Sequence, residues 1–192
     1  MNVLTICRHL EIPLKLKAKN FYAMITKRIL GADETQQVYE FKAADIQVKT
    51  IRIESNGKCK ESMSFKQIRY EEIVDQEWED SDFYMELTSK FFFIIFKHDH
   101  PDDPYVLERV IFWNMPEKDL EVVKKVWLDA QQKIAIGDYE HFIKSSHRQI
   151  AHVRPHANDS FDVMRTPQGT FEKKQSFWLN RNYIMEILQN NP

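Results

Sequence analysis

The chain has 192 residues, of which 43% are hydrophobic and 29% charged, with four glycines and a net charge of −2. This composition excludes a disordered or low-complexity chain and is enough for one domain with its own core. No apolar run approaches membrane-spanning length and no secretory signal pattern opens the chain, so an intracellular protein is expected.

The predicted elements run as follows. Residues 2–12 form a short amphipathic helix stopped by Pro13, and the basic run Lys15, Lys17, Lys19 follows. A second helix runs from Asn20, its expected N-cap, to Leu30, with Gly31 as its C-cap. Residues 32–39 are polar loop. Ile46 to Ile53 carries Val48, Thr50, Ile51 and Ile53 without Gly or Pro, and reads as a central strand. Asn56-Gly57 reads as a hairpin turn between that strand and the segment that follows.

Residues 66–89 are helix-like and acidic. Phe91 to Phe96, FFFIIF, reads as a fully buried strand, with Val106 to Trp113 as its partner. A helix is expected from Met115-Pro116-Glu117 to about Ile136, capped by Gly137. Short strands at Ile150 to Val153 and Phe177 to Leu179 follow, then a last helix from Asn182, its expected cap, to Leu188. The expected class is α/β, with a mixed sheet and no visible repeat or linker.

Charge is segregated along the chain. Residues 1–60 carry 11 basic against 6 acidic side chains, residues 61–121 carry 6 against 16, and residues 144–181 carry 7 against 3. Two basic ends fit nucleic acid if the fold brings them together, or they coat solvated surface.

Glu40, Asp45 and Lys49 carry the pattern of metal-dependent nucleases, in which acids hold a divalent cation and a lysine on a strand stabilises developing charge. Gln47, two before Lys49, is a neutral and weaker ligand. His98, Asp99, His100, Asp102 and Asp103 have ligand chemistry but read as a solvated turn. His152 and His156 are spaced i, i+4, yet Pro155 forbids the helix that would place both on one face. Arg154, His156 and Asn158, with Trp178, Asn180 and Arg181, could present donors to a DNA groove, where Arg reads guanine and Asn reads adenine. Four glycines leave no phosphate-cradling loop.

HVRPHANDS at 152–160 and QSFWLNRNYI at 175–184 resemble the carboxyl-terminal signature of the MutH mismatch-repair endonuclease family and of related type II restriction enzymes that cut GATC. ESMSF at 61–65, EEIVDQEWEDS at 71–81 and WNMPEKD at 113–119 resemble the second half of a large staphylococcal restriction enzyme of that family. The resemblance implies a restriction-endonuclease-like fold, a mixed sheet with flanking helices and two arms around a DNA cleft, in one domain over 1–192, and a bacterial cytoplasmic setting.

The same resemblance maps the family's catalytic positions onto Lys27, Glu40, Gln47 and Lys49, so that two of three carboxylates are lost. A lysine near the metal position would repel Mg²⁺. The resemblance therefore implies a non-catalytic effector lobe needing no cofactor, with Mg²⁺ confined to the full enzyme. Its partners would be GATC duplex and a catalytic amino-terminal half or a second copy. Arg154, Pro155, His156, Asn158, Trp178 and Asn180 would form the reading surface. Arg181, Lys173, Lys174, Lys15, Lys17 and Lys19 would take phosphates. The alternative is an active Mg²⁺-dependent nuclease in which Asp45 replaces the missing acid and, with Glu40, holds the metal. A third reading is a protein-interaction domain using its acidic 71–86 face.

Overall fold

The computed structural model describes residues 1–14, 18, 20–32 and 39–191, without the side chains of residues 39 and 40. Lys15, Lys17 and Lys19, and the Glu40 carboxylate, lie outside what is described. The chain forms two compact units. The first comprises Met1–Glu61 and Ser89–Asn114, with Asn191; the second comprises Ser62–Thr88 and Met115–Asn190.

In the first unit, helices α1 (Val3–His9) and α2 (Phe21–Ile29) precede a short helix α3 (Tyr39–Ala43) and a sheet of β1 (Ile46–Ile53), β3 (Lys90–Lys97) and β4 (Val106–Trp113). β1 runs parallel to β3, from Ile46 opposite Lys90 to Ile53 opposite Lys97, and β4 is antiparallel to β3. The strand predicted as central, β1, is therefore an edge among the described residues, and β3 holds the middle. This explains the uninterrupted FFFIIF run: a strand with neighbours on both sides and both faces covered needs apolar side chains at every position. All six are buried. Each contributes about 1.5–3 kcal/mol relative to exposure.

One face of the sheet, with Phe92, Ile94 and Phe96 beside Ile46 and Val48, packs on Val3, Ile6, Phe21 and Ile25 of α1 and α2. The Thr26 and Thr50 hydroxyls, 2.8 Å apart, pin α2 to β1. On the other face Phe91 and Phe93 pack against Trp113.

Several expectations are corrected here. The polar loop expected over residues 32–39 ends one residue early, because Tyr39 already opens helix α3, which carries Glu40. Asn20 precedes α2 but its side chain makes no capping bond, whereas Asn2 caps α1 by accepting from the Thr5 N–H at 2.9 Å. The Asn56-Gly57 turn exists, with Gly57 at φ +74°, but beyond one bridge between Ile53 and Cys59 the chain leaves β1. Cys7 and Cys59 are buried and not joined in a disulfide.

The second unit is built on an antiparallel sheet in the order β2 (Met63–Gln67), β8 (Gln175–Leu179), β5 (Ala151–Pro155). The acidic stretch after β2 is not one helix. It breaks into α4 (Tyr70–Ile73), a 3-10 turn at Trp78–Asp80 and α5 (Asp82–Thr88). Ser81 is buried and turns the chain, its hydroxyl donating to the Trp78 carbonyl at 2.7 Å and accepting from the Tyr84 N–H. The core stacks Phe83 on Phe177 at 4.4 Å, with Phe65 edge-on to Phe83 and Trp78 against Trp127 of the long helix α6 (Glu117–Ile136). Gly137, at φ +79°, ends α6 in the left-handed conformation that glycine adopts without strain.

The last helix, α7 (Arg181–Asn190), starts one residue before the expected cap. Asn180 performs that role, its Oδ1 accepting from the Asn182 N–H at 3.2 Å. A two-stranded ribbon, β6 (Val163–Arg165) with β7 (Phe171–Lys173), has no counterpart among the expected elements. Among the described residues no helix is long and apolar enough to cross a membrane.

Candidate nucleic-acid interface

Antiparallel pairing of β5 with β8 sets His152 opposite Trp178, Val153 opposite Phe177 and Arg154 opposite Ser176. Side chains alternate across a sheet, so the two faces divide the work. Val153, Phe177 and Leu179 are buried on the core side. His152, Arg154, Ser176 and Trp178 share the other side.

On that side the Arg154 guanidinium lies 4.6 Å from the Trp178 ring centre, and the His156 ring packs against the same indole at 5.1 Å. A cation over an indole face is held by the ring quadrupole, worth about 0.5–1 kcal/mol at an exposed site. Arg154 and His156 are both exposed, so the stack presents a guanidinium and an imidazole to solvent from a rigid aromatic base.

His156 is fixed from three directions. Its N–H donates to the Lys174 carbonyl at 2.9 Å, continuing the ladder past Pro155. Its carbonyl accepts from Gln67 Nε2 at 3.2 Å. Its Nδ1 is 2.8 Å from the hydroxyl of Ser176, which is fully buried. That hydrogen bond directs the other ring nitrogen, Nε2, away from the sheet. Pro155 has no N–H to give, which suits an edge strand.

Below this stack His152 is 1% exposed. Neither of its ring nitrogens, nor the Trp178 Nε1, has a hydrogen-bond partner among the described residues. Burial, and then the Arg154 cation, push the His152 pKa down to about 4, so the ring is neutral at physiological pH.

Other expected donors serve the protein's own structure. Asn180 is 5% exposed; besides capping α7, its Nδ2 donates to the Ser145 carbonyl. Asn158 donates its N–H and Nδ2 to the Asp162 carboxylate at 2.9 and 3.1 Å, so it shapes the turn. Lys174 is ion-paired with Asp162, and these contacts hold the Asp162 carboxyl below its usual range. Lys173 on β7 and Arg181 at the start of α7 remain exposed. Ser176, Gln67 and the buried His152 were not singled out as parts of this surface from sequence. Their roles come from cross-strand pairing, and only the position of Ser176 two residues before Trp178 would have marked it.

The nuclease-like residues lie in the first unit. Gln47 and Lys49 share one face of β1 and are half-buried. Lys27 lies in the last turn of α2, the helix pinned to β1 through Thr50, whose side chain points to the opposite face. Asp45 is held at the entrance to the strand. It precedes β1 at φ +49°, and its carboxylate accepts from the Ser89 hydroxyl at 3.0 Å. Three residues of β1 separate it from Lys49, a rise of about 13 Å over four steps of extended chain. Among the described residues no group of three or more His, Cys, Asp or Glu could hold a metal ion. In the loop that follows β3, His98 is buried and turned inward, its Nε2 2.8 Å from the Glu54 carboxylate, and its ring stacks on Tyr105.

The family described as DNA mismatch repair enzyme MutH matches residues 31–125, a span that includes β1, β3 and β4. With the mixed sheet and its flanking helices, this match supports a MutH-like restriction-endonuclease fold for the chain. Among individual proteins the chain is similar to the type II restriction enzyme Sau3AI of Staphylococcus aureus, with 28% identity over 232 aligned residues. That alignment covers 96% of this chain but 47% of the relative, so the chain spans about half the length of the protein it matches. It extends the likeness beyond residue 125, over most of the chain.

Proposed function

We propose that this chain is the DNA-reading lobe of a type II restriction endonuclease, that it recognises GATC duplex, and that it acts as an effector without cutting. The observation that carries this reading is the stack of Arg154 and His156 on Trp178, braced by Ser176 from inside the sheet. A guanidinium held in place before binding loses little freedom on reaching a guanine edge, where a bidentate contact discriminates by about 1–3 kcal/mol. His156 offers Nε2 to a neighbouring base edge. Lys173 and Arg181, both exposed, supply phosphate contacts that set register without reading sequence.

The cleavage chemistry belongs elsewhere in this reading. Mg²⁺ would serve a catalytic half of the full enzyme, because Gln47 is neutral and Asp45 is engaged by Ser89 away from Lys49. Occupation of this lobe by a second GATC site would favour the cutting state of that half, or of a partner copy, through the differential affinity of the two states for DNA.

Fluorescence anisotropy with a GATC duplex and its scrambled version tests the proposal. Tighter binding of GATC by about 10³-fold is expected. Arg154→Ala should cut the preference for GATC by about 5- to 150-fold, the equivalent of about 1–3 kcal/mol. Equal affinity for both duplexes would remove the assignment. Cleavage of plasmid DNA with Mg²⁺ or Mn²⁺ that Lys49→Ala abolishes would instead establish an active nuclease.

A further inference from the structure

The β6–β7 ribbon has one face that the described residues leave uncovered. Val163 pairs with Lys173 and Arg165 with Phe171, so these four side chains point the same way, and all four are exposed. Phe171 is 64% exposed, and Phe161 at the entrance to the ribbon is 89% exposed. The intervening Met164 and Glu172 face the other way and are half-buried. The open face therefore places two cations on one diagonal and two apolar groups on the other. Cross-strand diagonals of this kind separate side chains by about 7–8 Å.

The ribbon is continuous with the reading turn. The Lys174 N–H donates to the Asp162 carbonyl at 3.4 Å, while the Lys174 carbonyl accepts from the His156 N–H. The Tyr70 hydroxyl donates to the Lys173 carbonyl at 2.5 Å and anchors the ribbon from beneath. The ribbon therefore begins directly where the reading turn ends. Arg165 meets Glu71 at 3.5 Å, with both side chains more than half exposed, a contact that a phosphate can displace.

Cations interleaved with apolar side chains suit the flank of a duplex, where phosphates alternate with deoxyribose. A protein partner fits less well. Stable protein interfaces take about 800 Å² from each side, far more than four side chains on a two-stranded ribbon supply.

We propose that the open face of this ribbon is a second DNA-contacting element, in which Arg165 and Lys173 take backbone phosphates and Phe171 packs on the sugars beside the bases that the turn reads. This rests on the DNA-reading function proposed above and adds a non-specific arm to it.

The test is the salt dependence of duplex binding by the whole chain. Each phosphate contact contributes about 0.9 to the slope of log affinity against log salt. Arg165→Gln combined with Lys173→Gln should lower that slope by about 1–2 and weaken GATC and scrambled duplexes alike, leaving their ratio unchanged. Phe171→Ser should weaken both with the slope intact. Glu71→Gln, which frees Arg165, should tighten both. All four positions are exposed, and circular dichroism with thermal melting checks that each variant stays folded. An unchanged slope, in a protein that still prefers GATC, overturns the ribbon and leaves the reading turn standing. Loss of self-association in Phe171→Ser, with DNA binding intact, assigns the face to a second copy and also overturns the ribbon. Failure of the unmodified chain to bind any duplex at low salt removes the reading function and the ribbon with it.

Discussion

Replacing His152 with leucine should flatten the acid limb of the stability curve. His152 is 1% exposed, its ring nitrogens have no partner among the described residues, and its pKa falls to about 4 from the ordinary 6.5. Burial in the β5–β8 sheet is the main cause and the Arg154 cation the second. The folded value lies below the unfolded one, so between pH 6.5 and pH 4 the unfolded chain takes up a proton that the native chain refuses. The native state is then at full stability above pH 6.5 and loses it progressively down to about pH 4. The gap corresponds to about 3 kcal/mol at 1.36 kcal/mol per pH unit, most of it spent by pH 4.5. Urea unfolding at pH 7 and pH 4.5 should therefore show wild type losing about 2–3 kcal/mol more than His152→Leu, with carboxylate contributions common to both. At pH 7 the leucine variant should be no less stable, because it removes two unpaired buried polar atoms. Identical losses in the two proteins would mean that His152 is solvated or paired in solution, and the account of the buried face would be wrong.

Two further outcomes follow from the geometry. Ser176→Ala should leave the His156 ring unbraced and reduce the preference for GATC several-fold, as loss of a hydrogen bond worth about 1 kcal/mol requires; the nitrogen chemical shifts of His156 should report the change, and unaltered shifts would refute the bracing. Glu54→Gln should destabilise the first unit at neutral pH, since Lys60 above all, with His98 and Tyr105, holds the Glu54 carboxyl down to about 2. A depressed carboxyl contributes its stability above about pH 4.5 and loses it as pH falls toward 2, so thermal melts of variant and wild type should converge in acid.

Much of the fold was legible because it rests on local pattern. FFFIIF could only be a strand enclosed on both faces, and Val106 to Trp113 is its partner. The apolar face of residues 117–136 and the glycine that follows gave α6 and its end. What failed was pairing over long separations. Nothing near Met63–Gln67 says that it leaves the Asn56-Gly57 turn to join a strand more than a hundred residues on. The ribbon strands, three residues each, are too short for an alternation to stand out. In the candidate site, donor chemistry and the resemblance together picked out Arg154, His156 and Trp178, which the structure brings together. Asn158, Asn180 and Lys174 have the right chemistry for DNA but are drawn into turn, cap and ion pair. Residue type cannot separate a donor facing solvent from one satisfying its own backbone.

The alternation along β8 has a consequence for how this protein can change. Phe177 and Leu179 answer to the core, while Ser176 and Trp178 answer to His156 and Arg154 on the opposite face. Stability and the proposed recognition are thus written on alternate letters of a single five-residue word. Substitutions at the even-numbered positions can retune the reading surface while the hydrophobic letters between them keep the sheet together. Inserting or deleting one residue would exchange the two vocabularies at a stroke. A library meant to redirect specificity should vary residues 176 and 178 together with 154 and 156, and leave the intervening positions alone.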